Sequence, residues 1–215
     1  MQASFGNATK ESCDARLQQW CLNILRNLDA KVEVNGREHA RGGPFLVMSN
    51  HQSHYDIPVL FSVLGSNLRM ITKQELFAIP IFGSALRTAG FVPVDRSRRD
   101  RALQSLGDAR SLLQEGTNVW IAPEGTRSAT GALLPFKKGG FYLAQQTKAV
   151  ILPITIDGTK EILAAHAWQS THYKTVHVTI HSPIETAQFP DNDDGRTSLM
   201  QRVREVLRSG LREVA

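Results

Sequence analysis

The fold is decided by the stretch FLVMSNHQSHYDIP at residues 45–58, in which an apolar run is followed by a polar turn and then a proline. The apolar run Phe45–Met48 predicts a strand. Pro58 indicates that a helix begins near Asp56, because proline is tolerated in the first turn of a helix and not deeper. A strand, a polar turn and a helix form the repeating unit of an α/β sheet.

The same alternation continues on both sides of this stretch. Further strands are predicted at Val32–Val34, Leu68–Ile71, Phe91–Val94, Val119–Ala122, Val150–Ile156 and Thr175–Ile180. Further helices are predicted at Asp100–Gln114, Gly139–Thr147 and Ser198–Leu211. The pattern predicts an α/β fold: a single domain with a central, mostly parallel or mixed sheet flanked by helices. Polar residues gather just after strand ends, where open α/β sheets bind ligands.

An amphipathic helix is predicted to precede this domain. Residues 1–11 form a polar tail, and the apolar residues of Asp14–Leu28 follow at spacings of three and one, as on one face of a helix. This face either packs on the domain or lies among lipid headgroups. The chain is thus divided into residues 1–30, the tail and helix, and residues 31–215, the main domain.

The composition is that of an ordinary globular protein. The chain has 215 residues, a net charge of +5 and a pI of about 9.5, which suits anionic partners: membrane lipid, nucleic acid, a phosphorylated metabolite or an acidic carrier protein. Two sparse cysteines predict no disulfide framework. No apolar run approaches the roughly 18–20 residues that cross a bilayer, and the N-terminus does not resemble a secretory signal, so any membrane contact is expected to be peripheral.

His51 and Asp56 lie five residues apart around the polar turn. In one continuous helix this spacing directs two side chains about 140° apart, and in one strand it places them on opposite faces. The two residues can therefore pair only if His51 lies in the turn and Asp56 in the first turn of the helix. Asp56 would then accept the Nδ1 hydrogen of His51 and leave Nε2 as a general base.

Two other interpretations of this turn stay open. Asp56 can be a simple helix N-cap beside an ordinary loop histidine. His51, His54 and Asp56 can also bind a metal, although their spacing matches no recognised ligand pattern.

Two further polar segments follow predicted strands. In APEGTRS at residues 122–128, Gly125 permits a tight turn, Arg127 offers a planar fork suited to phosphate, and Glu124 can orient a ligand hydroxyl. The second segment follows the predicted strand Phe91–Val94. It contains a cluster of arginines: Arg96, Arg98, Arg99 and Arg101. No nucleophile elbow, Walker loop or dinucleotide fingerprint occurs, so serine-hydrolase, nucleotide-triphosphatase and dinucleotide-binding functions lose support.

Taken together and in this order, these segments resemble the lysophospholipid acyltransferase family, best known from bacterial 1-acylglycerol-3-phosphate acyltransferases. The family's four blocks are matched by Asn50, His51 and Asp56, by Gly90, Val94 and Arg96, by residues 123–128, and by Pro153 within an apolar strand. Lys73 begins a segment similar to the family's Lys-x-Glu-Leu. The resemblance spans about residues 44–156, which makes residues 31–215 an acyltransferase domain with this stretch as its motif-bearing core.

The resemblance implies transfer of a fatty acyl group from acyl carrier protein or coenzyme A to the sn-2 hydroxyl of lysophosphatidic acid, giving phosphatidic acid. It implies that His51 and Asp56 are catalytic, with no cofactor, no metal and no nucleic-acid partner. The implied substrate-binding residues are Lys73, Arg96, Glu124, Gly125, Thr126 and Arg127. An anionic membrane surface is a further implied partner, contacted peripherally at the cytoplasmic face of a bacterial inner membrane.

The chain departs from the family's pattern in two respects. Ala122 stands where the family usually has phenylalanine, which changes one wall of the expected acceptor pocket and leaves another lysolipid or a lyso-aminolipid as an alternative acceptor. No segment resembles the transmembrane helix that precedes many members' catalytic domains. A non-catalytic lipid-binding module is a rival from another functional class, although binding alone requires no base such as His51.

Overall fold

The computed structural model of this chain describes residues 10–80, 82–95, 99–165 and 167–212. Its helices are α1 (Lys10–Asn27), α2 (Asp56–Leu64), α3 (Phe82–Thr88), α4 (Arg99–Gln114), α5 (Gly139–Thr147), α6 (Thr159–Ile162) and α7 (Asp193–Ser209). Its strands are β1 (Lys31–Asn35), β2 (Leu46–Ser49), β3 (Leu68–Lys73), β4 (Val92–Val94), β5 (Asn118–Ile121), β6 (Ile151–Asp157) and β7 (Thr175–Ile180). Short 3-10 helices lie at Arg37–Ala40, Gln74–Ala78 and Thr186–Gln188.

The strands form one mixed sheet in the order β1-β7-β6-β2-β5-β3-β4. The five strands from β6 to β4 are parallel to one another, whereas β7 is antiparallel to β6 and parallel to β1. The predicted α/β fold with a central, mostly parallel sheet flanked by helices is therefore confirmed.

Strand β2 lies in the middle of the sheet because every one of its side chains can be buried. Its successive residues pack alternately on the two faces, as the two-residue period of a strand requires. Val47 joins a core with α1 and α2, whereas Leu46 and Met48 join a second core with α4, α5 and α7. The two layers of helices leave no solvent-exposed face on this strand, and polar groups reach it only at its end.

The carboxyl ends of β2, β5 and β6 meet at one edge of the sheet. Leu46 of β2 pairs with Val119 of β5 on one side and with Ile151 of β6 on the other. The polar segments that follow these strands are consequently neighbours in space. Strand β3 and the edge strand β4 end on the same side, farther from β2.

Helix α1 packs its apolar face against the domain. Cys21, Leu25 and Leu28 are buried in the core that also contains α2 and the sheet, whereas the Trp20 side chain is 54% exposed. Of the two predicted arrangements of this face, the structure therefore shows packing on the domain. The helix begins at Lys10, so the prediction of a polar tail was wrong for residues 10 and 11, and residues 1–9 lie outside the described residues.

None of the helices in the described ranges combines the length and apolar character needed to cross a bilayer. The proposed division into residues 1–30 and 31–215 stays a prediction, since α1 and the main domain share one core.

The start of α7 was misjudged, and helices α3 and α6 were not predicted, because local capping and tertiary packing decide these elements. Helix α7 begins at Asp193, five residues before the predicted start, because the Asn192 side chain accepts a hydrogen bond from the Gly195 N–H and caps the helix there. Helix α3 has no clear apolar period, and it packs on the 3-10 helix Gln74–Ala78; the Gly83 N–H donates to the carbonyl of Ile79, which directly follows that 3-10 helix.

A buried ion pair attaches α1 to the sheet. The Arg69 side chain on β3 is fully buried, and its Nη2 donates to both carboxylate oxygens of Asp14 at 2.8 Å. Arg69 Nη1 donates to the carbonyls of Ser66 and Leu68. Because a buried guanidinium is costly without an anion, Asp14 does more for stability than a surface carboxylate would.

We expect Asp14→Ala to lower the free energy of unfolding by about 3–5 kcal/mol, since it leaves the Arg69 charge buried and unpaired. Urea unfolding followed by circular dichroism measures this. Lys31→Ala, which removes an exposed ion pair with Glu33, is the control and should barely shift the midpoint. The double variant Asp14→Leu with Arg69→Met should regain much of the loss. An unchanged midpoint for Asp14→Ala would contradict the assignment.

Candidate active site

The turn between β2 and α2 brings His51 and Asp56 together. Asp56 occupies the first turn of α2, and its Oδ2 lies 2.6 Å from His51 Nδ1. The two side chains meet across a change of secondary structure, as their spacing requires. Tyr55, and not Asp56, occupies the N-cap position of α2. The carboxylate of Asp56 faces the preceding turn, where it accepts backbone N–H groups.

The Asp56 carboxylate organises the whole turn. Besides His51, Oδ2 accepts the backbone N–H groups of Gln52 at 2.8 Å and Ser53 at 3.0 Å. Oδ1 accepts the hydroxyl of Thr159, at the start of α6. The Asp56 side chain is fully buried, so these donors replace the water that would otherwise solvate its charge. An aspartate held this way fixes the imidazole tautomer with hydrogen on Nδ1.

The His51 ring is packed on one side and partly exposed on the other. The ring packs edge-on against Trp120, with centroids 5.5 Å apart, and its side chain is 16% exposed. Within the described ranges no residue makes a hydrogen bond to Nε2. Trp120 is itself held by donating Nε1–H to Ser49 Oγ at 2.9 Å. The ring is thus fixed on two sides and open at the nitrogen that could accept a proton.

Asn50 fastens the turn to β6 on the other side of β2. Its Nδ2 donates to the Ile156 carbonyl at 2.7 Å, and its Oδ1 accepts the Ile156 N–H at 2.8 Å. The side-chain amide thereby copies a backbone strand partner at the position where β2 ends. The turn that carries His51 is consequently bonded to β6.

Glu124, in the loop after β5, holds the backbone of the same turn. Oε1 accepts the His51 N–H at 2.9 Å, and Oε2 accepts the Leu134 N–H at 2.7 Å. The residue is only 2% exposed. Burial raises the pKa of Glu124 above its ordinary value of 4.5, and the two N–H donors only partly oppose this effect. The sequence pointed to a ligand-orienting role for Glu124, whereas the structure gives its carboxylate a scaffolding contact with His51.

The loop after β5 also carries the predicted phosphate-binding group. Gly125 has φ of 72°, a left-handed conformation that favours glycine, and Ser128 N–H donates to the His51 carbonyl at 2.7 Å. Thr126 is exposed and Arg127 is half-buried. The pKa of His54, a residue of the His51 turn, is lowered first by its partial burial and then by the positive charge of Arg127.

The remaining predicted residues lie farther away or outside the described structure. Lys73 ends β3 at the same edge of the sheet, exposed, and two strands from β2, a separation of about 10 Å. Arg96 lies outside the described residues, as does Arg98. No group of three or more His, Cys, Asp or Glu side chains suited to a metal is found in the part of the chain that the structure describes.

Sequence reasoning missed Thr159 and Trp120 as parts of the site. Thr159 lies 103 residues from Asp56 in the chain, so no local pattern links them. One signal was available: Thr159 follows a predicted buried strand by a few residues, as His51 and Glu124 do. Trp120 lies within a strand, where an apolar residue is expected for packing alone.

We expect Thr159→Val to destabilise the protein by about 1.5–3 kcal/mol, because it removes a hydroxyl donor from a buried carboxylate while keeping the side-chain volume. Urea unfolding at neutral pH measures this loss. Thr159→Ser retains the donor and is the matched control. Equal stability of the valine and serine variants would show that the hydroxyl contributes nothing to Asp56.

The raised pKa of Glu124 predicts a pH dependence of stability. The folded protein holds this proton more tightly than the unfolded chain, so the contribution of Glu124 is fully present below about pH 4.5 and is lost as pH rises through the higher folded-state pKa. The difference in unfolding free energy between wild type and Glu124→Gln should therefore decline from acidic to neutral pH. Glu161→Gln, at an exposed position, is the matched control, and a difference that grows with pH would reverse the assignment.

Comparisons with known proteins identify relatives of one family. The acyltransferase family model matches residues 31–157. A chloroplastic 1-acyl-sn-glycerol-3-phosphate acyltransferase of Brassica napus is 37% identical over 156 residues, covering 72% of this chain and 45% of the relative. The human alpha form of that enzyme is 33% identical over 201 residues, covering 93% of this chain and 70% of the relative. The chain thus spans less than half the length of the plant relative.

The likeness extends to a solved fold. The crystal structure of the 1-acyl-sn-glycerophosphate acyltransferase from Thermotoga maritima superimposes with a TM-score of 0.78 and 27% sequence identity, covering 94% of this chain and 79% of that one. The matched range 31–157 contains the turn with His51 and Asp56, the loop with Glu124 and Arg127, and strand β6. The chain therefore belongs to the acyltransferase family.

Proposed function

We propose that this protein transfers a fatty acyl group from a thioester to the free sn-2 hydroxyl of lysophosphatidic acid, giving phosphatidic acid. The observation that carries the proposal is the paired and buried His51–Asp56 contact of 2.6 Å, with Nε2 of the ring left open at the site edge. The names of the similar proteins support the same reaction and acceptor.

In the proposed reaction His51 is the general base. Nε2 takes the proton of the acceptor hydroxyl as its oxygen attacks the carbonyl carbon of the thioester. The tetrahedral intermediate then collapses with cleavage of the carbon–sulfur bond, and the proton passes from Nε2 to the leaving sulfur. Asp56 keeps hydrogen on Nδ1 and stabilises the imidazolium that forms between the two steps. No acyl-enzyme is required, so the reaction needs no nucleophilic serine.

The acceptor phosphate is proposed to bind at the loop after β5. Arg127 has the planar fork that binds phosphate through two hydrogen bonds, and its charge acts on the same turn that carries His51. Gly125 and Thr126 would shape this site with Glu124, which holds the turn. Lys73 and Arg96 follow neighbouring strand ends and are proposed as further phosphate contacts.

The acyl donor and the location complete the proposal. Coenzyme A and acyl carrier protein are both anionic, and the net charge of +5 suits either, with no cofactor beyond the thioester. Lysophosphatidic acid resides in membranes, so the protein is proposed to work peripherally at an anionic surface. The cytoplasmic face of a bacterial inner membrane is the location that the family resemblance implies.

We expect His51→Ala to lower the rate of acceptor-dependent thiol release by roughly 10²–10⁴-fold, the range for loss of a general base. Thiol release from acyl-coenzyme A and from acyl carrier protein, with phosphatidic acid identified as product, measures this. His54→Ala is the control, because it removes a histidine from the same turn but not the partner of Asp56. Loss of activity in the control with retention in His51→Ala would refute the assignment.

We expect Arg127→Met to raise the KM for lysophosphatidic acid about 10–100-fold, the equivalent of one or two charge-assisted hydrogen bonds, with a smaller change in kcat. Steady-state kinetics with acceptors that carry or lack the phosphate measure this. Lys138→Met, in the exposed region after the same loop, is the matched control. If wild type prefers another lysolipid, or if Arg127→Met acts equally on a phosphate-free acceptor, the phosphate assignment fails.

A further inference from the structure

The loop between α6 and β7 presents two aromatic side chains to solvent. Trp168 is 100% exposed and Tyr173 is 79% exposed. Single exposed apolar residues are common on soluble proteins, but two large aromatics in one short loop are a feature of binding surfaces. We call residues 167–174 the aromatic loop.

The aromatic loop is fixed to the domain by several hydrogen bonds. Ser170 Oγ lies 2.7 Å from the Tyr55 hydroxyl, and Thr171 N–H donates to the Ile162 carbonyl at 2.7 Å. Tyr173 N–H donates to the Leu28 carbonyl at the end of α1, at 2.9 Å. These contacts hold the loop on the domain, whereas the Trp168 and Tyr173 side chains are exposed. The exposure of the rings is therefore built into the fold.

The same contacts place the aromatic loop beside the candidate active site. Tyr55, which bonds to Ser170, directly precedes Asp56 in the chain. Ser53 Oγ donates to the Leu163 carbonyl at 2.7 Å, and Thr159 at the start of α6 donates to Asp56. The segment that leads into the loop thus helps to hold the His51 turn. A surface that contacts the aromatic loop lies next to the proposed reaction site.

The chemistry of the loop fits an anionic lipid surface. Residues 162–174 contain no aspartate or glutamate and end in Lys174, while Lys160 lies on the preceding helix next to the exposed Glu161. Tryptophan and tyrosine favour the membrane interface, because each has an apolar ring and a polar group that stays in water. Lysine side chains near the surface add attraction to anionic headgroups. The loop itself therefore carries no carboxylate beside Trp168 or Tyr173 that would be repelled by anionic headgroups.

We propose that the aromatic loop is a membrane-docking element, in which Trp168 and Tyr173 insert among the headgroups of an anionic bilayer. Its docking places the edge of the sheet that carries His51 at the lipid surface. The functional purpose of this docking rests on the proposed function, in which the lysolipid acceptor comes from the bilayer. The docking itself is a binding event that is measured without any turnover.

Tryptophan fluorescence provides a direct test, because the chain has three tryptophans and Trp168 alone is fully exposed. In a Trp20→Phe variant the remaining residues are Trp168 and the buried Trp120. Vesicles with anionic phospholipid should shift the emission of this variant to shorter wavelength, and lipids with a headgroup-level quencher should reduce it. Trp168→Phe in the same background is the control and should lose both effects. Unchanged Trp168 emission on vesicles that the protein binds would overturn the proposal.

Vesicle partitioning provides the second test. Trp168→Ser should lower the partition coefficient for anionic vesicles about tenfold, and the double variant with Tyr173→Ser further, because apolar area inserted into the interface is lost. Both variants should fold normally, since the rings are exposed. Trp20→Ser is the comparison on α1. If Trp20→Ser abolishes vesicle binding while Trp168→Ser leaves it unchanged, α1 and not the aromatic loop is the docking element.

Activity assays then separate docking from catalysis. Trp168→Ser should slow turnover of lysophosphatidic acid embedded in vesicles several-fold and leave the rate with a water-soluble short-chain acceptor unchanged. Unchanged vesicle binding with a raised KM for acyl carrier protein would assign the loop to the donor protein and overturn the membrane proposal. Absence of turnover with every acceptor would refute the proposed function, while the fluorescence and partition results would still decide whether the loop docks.

Discussion

The buried carboxylate of Asp56 is the group on which the rest of the site depends. A fully buried negative charge is stable only where donors replace its water, and here the donors come from the His51 ring, two backbone N–H groups of the turn and Thr159. Each of these bonds also positions the group that donates it. The donors that offset the cost of burying this charge therefore also fix the orientation of the imidazole.

The neighbouring strands supply the supports that this turn cannot make by itself. Asn50 bonds the turn to β6, and Glu124 and Ser128 bond it to the loop after β5. Because β2 lies between β5 and β6, the turn is held from both sides at the point where three strand ends meet. A second buried charge with a specific partner is that of Arg69, whose ion pair with Asp14 attaches α1 to β3. This ion pair stabilises the fold and is not part of the candidate site.

The proposed chemistry and the proposed docking use the same local architecture. Helix α6 starts at Thr159, which donates to Asp56, and leads into the aromatic loop, whose Ser170 bonds to Tyr55. The hydroxyl that supports Asp56 and the aromatic surface proposed for a bilayer therefore lie at the two ends of one short segment.

The sequence by itself determined the strand–helix alternation, the α/β class of the sheet and the condition that His51 and Asp56 can pair only across a turn. These features are local: a two-residue or 3.6-residue period and a proline in a first turn are read from a few adjacent residues. Only the tertiary structure decided that Thr159, Trp120 and the backbone contacts of Glu124 belong to the site, that α1 packs on the domain, and that Trp168 and Tyr173 remain exposed. The physical reason is that these contacts join residues far apart in the chain, and their partners are set by which strands become neighbours in the sheet.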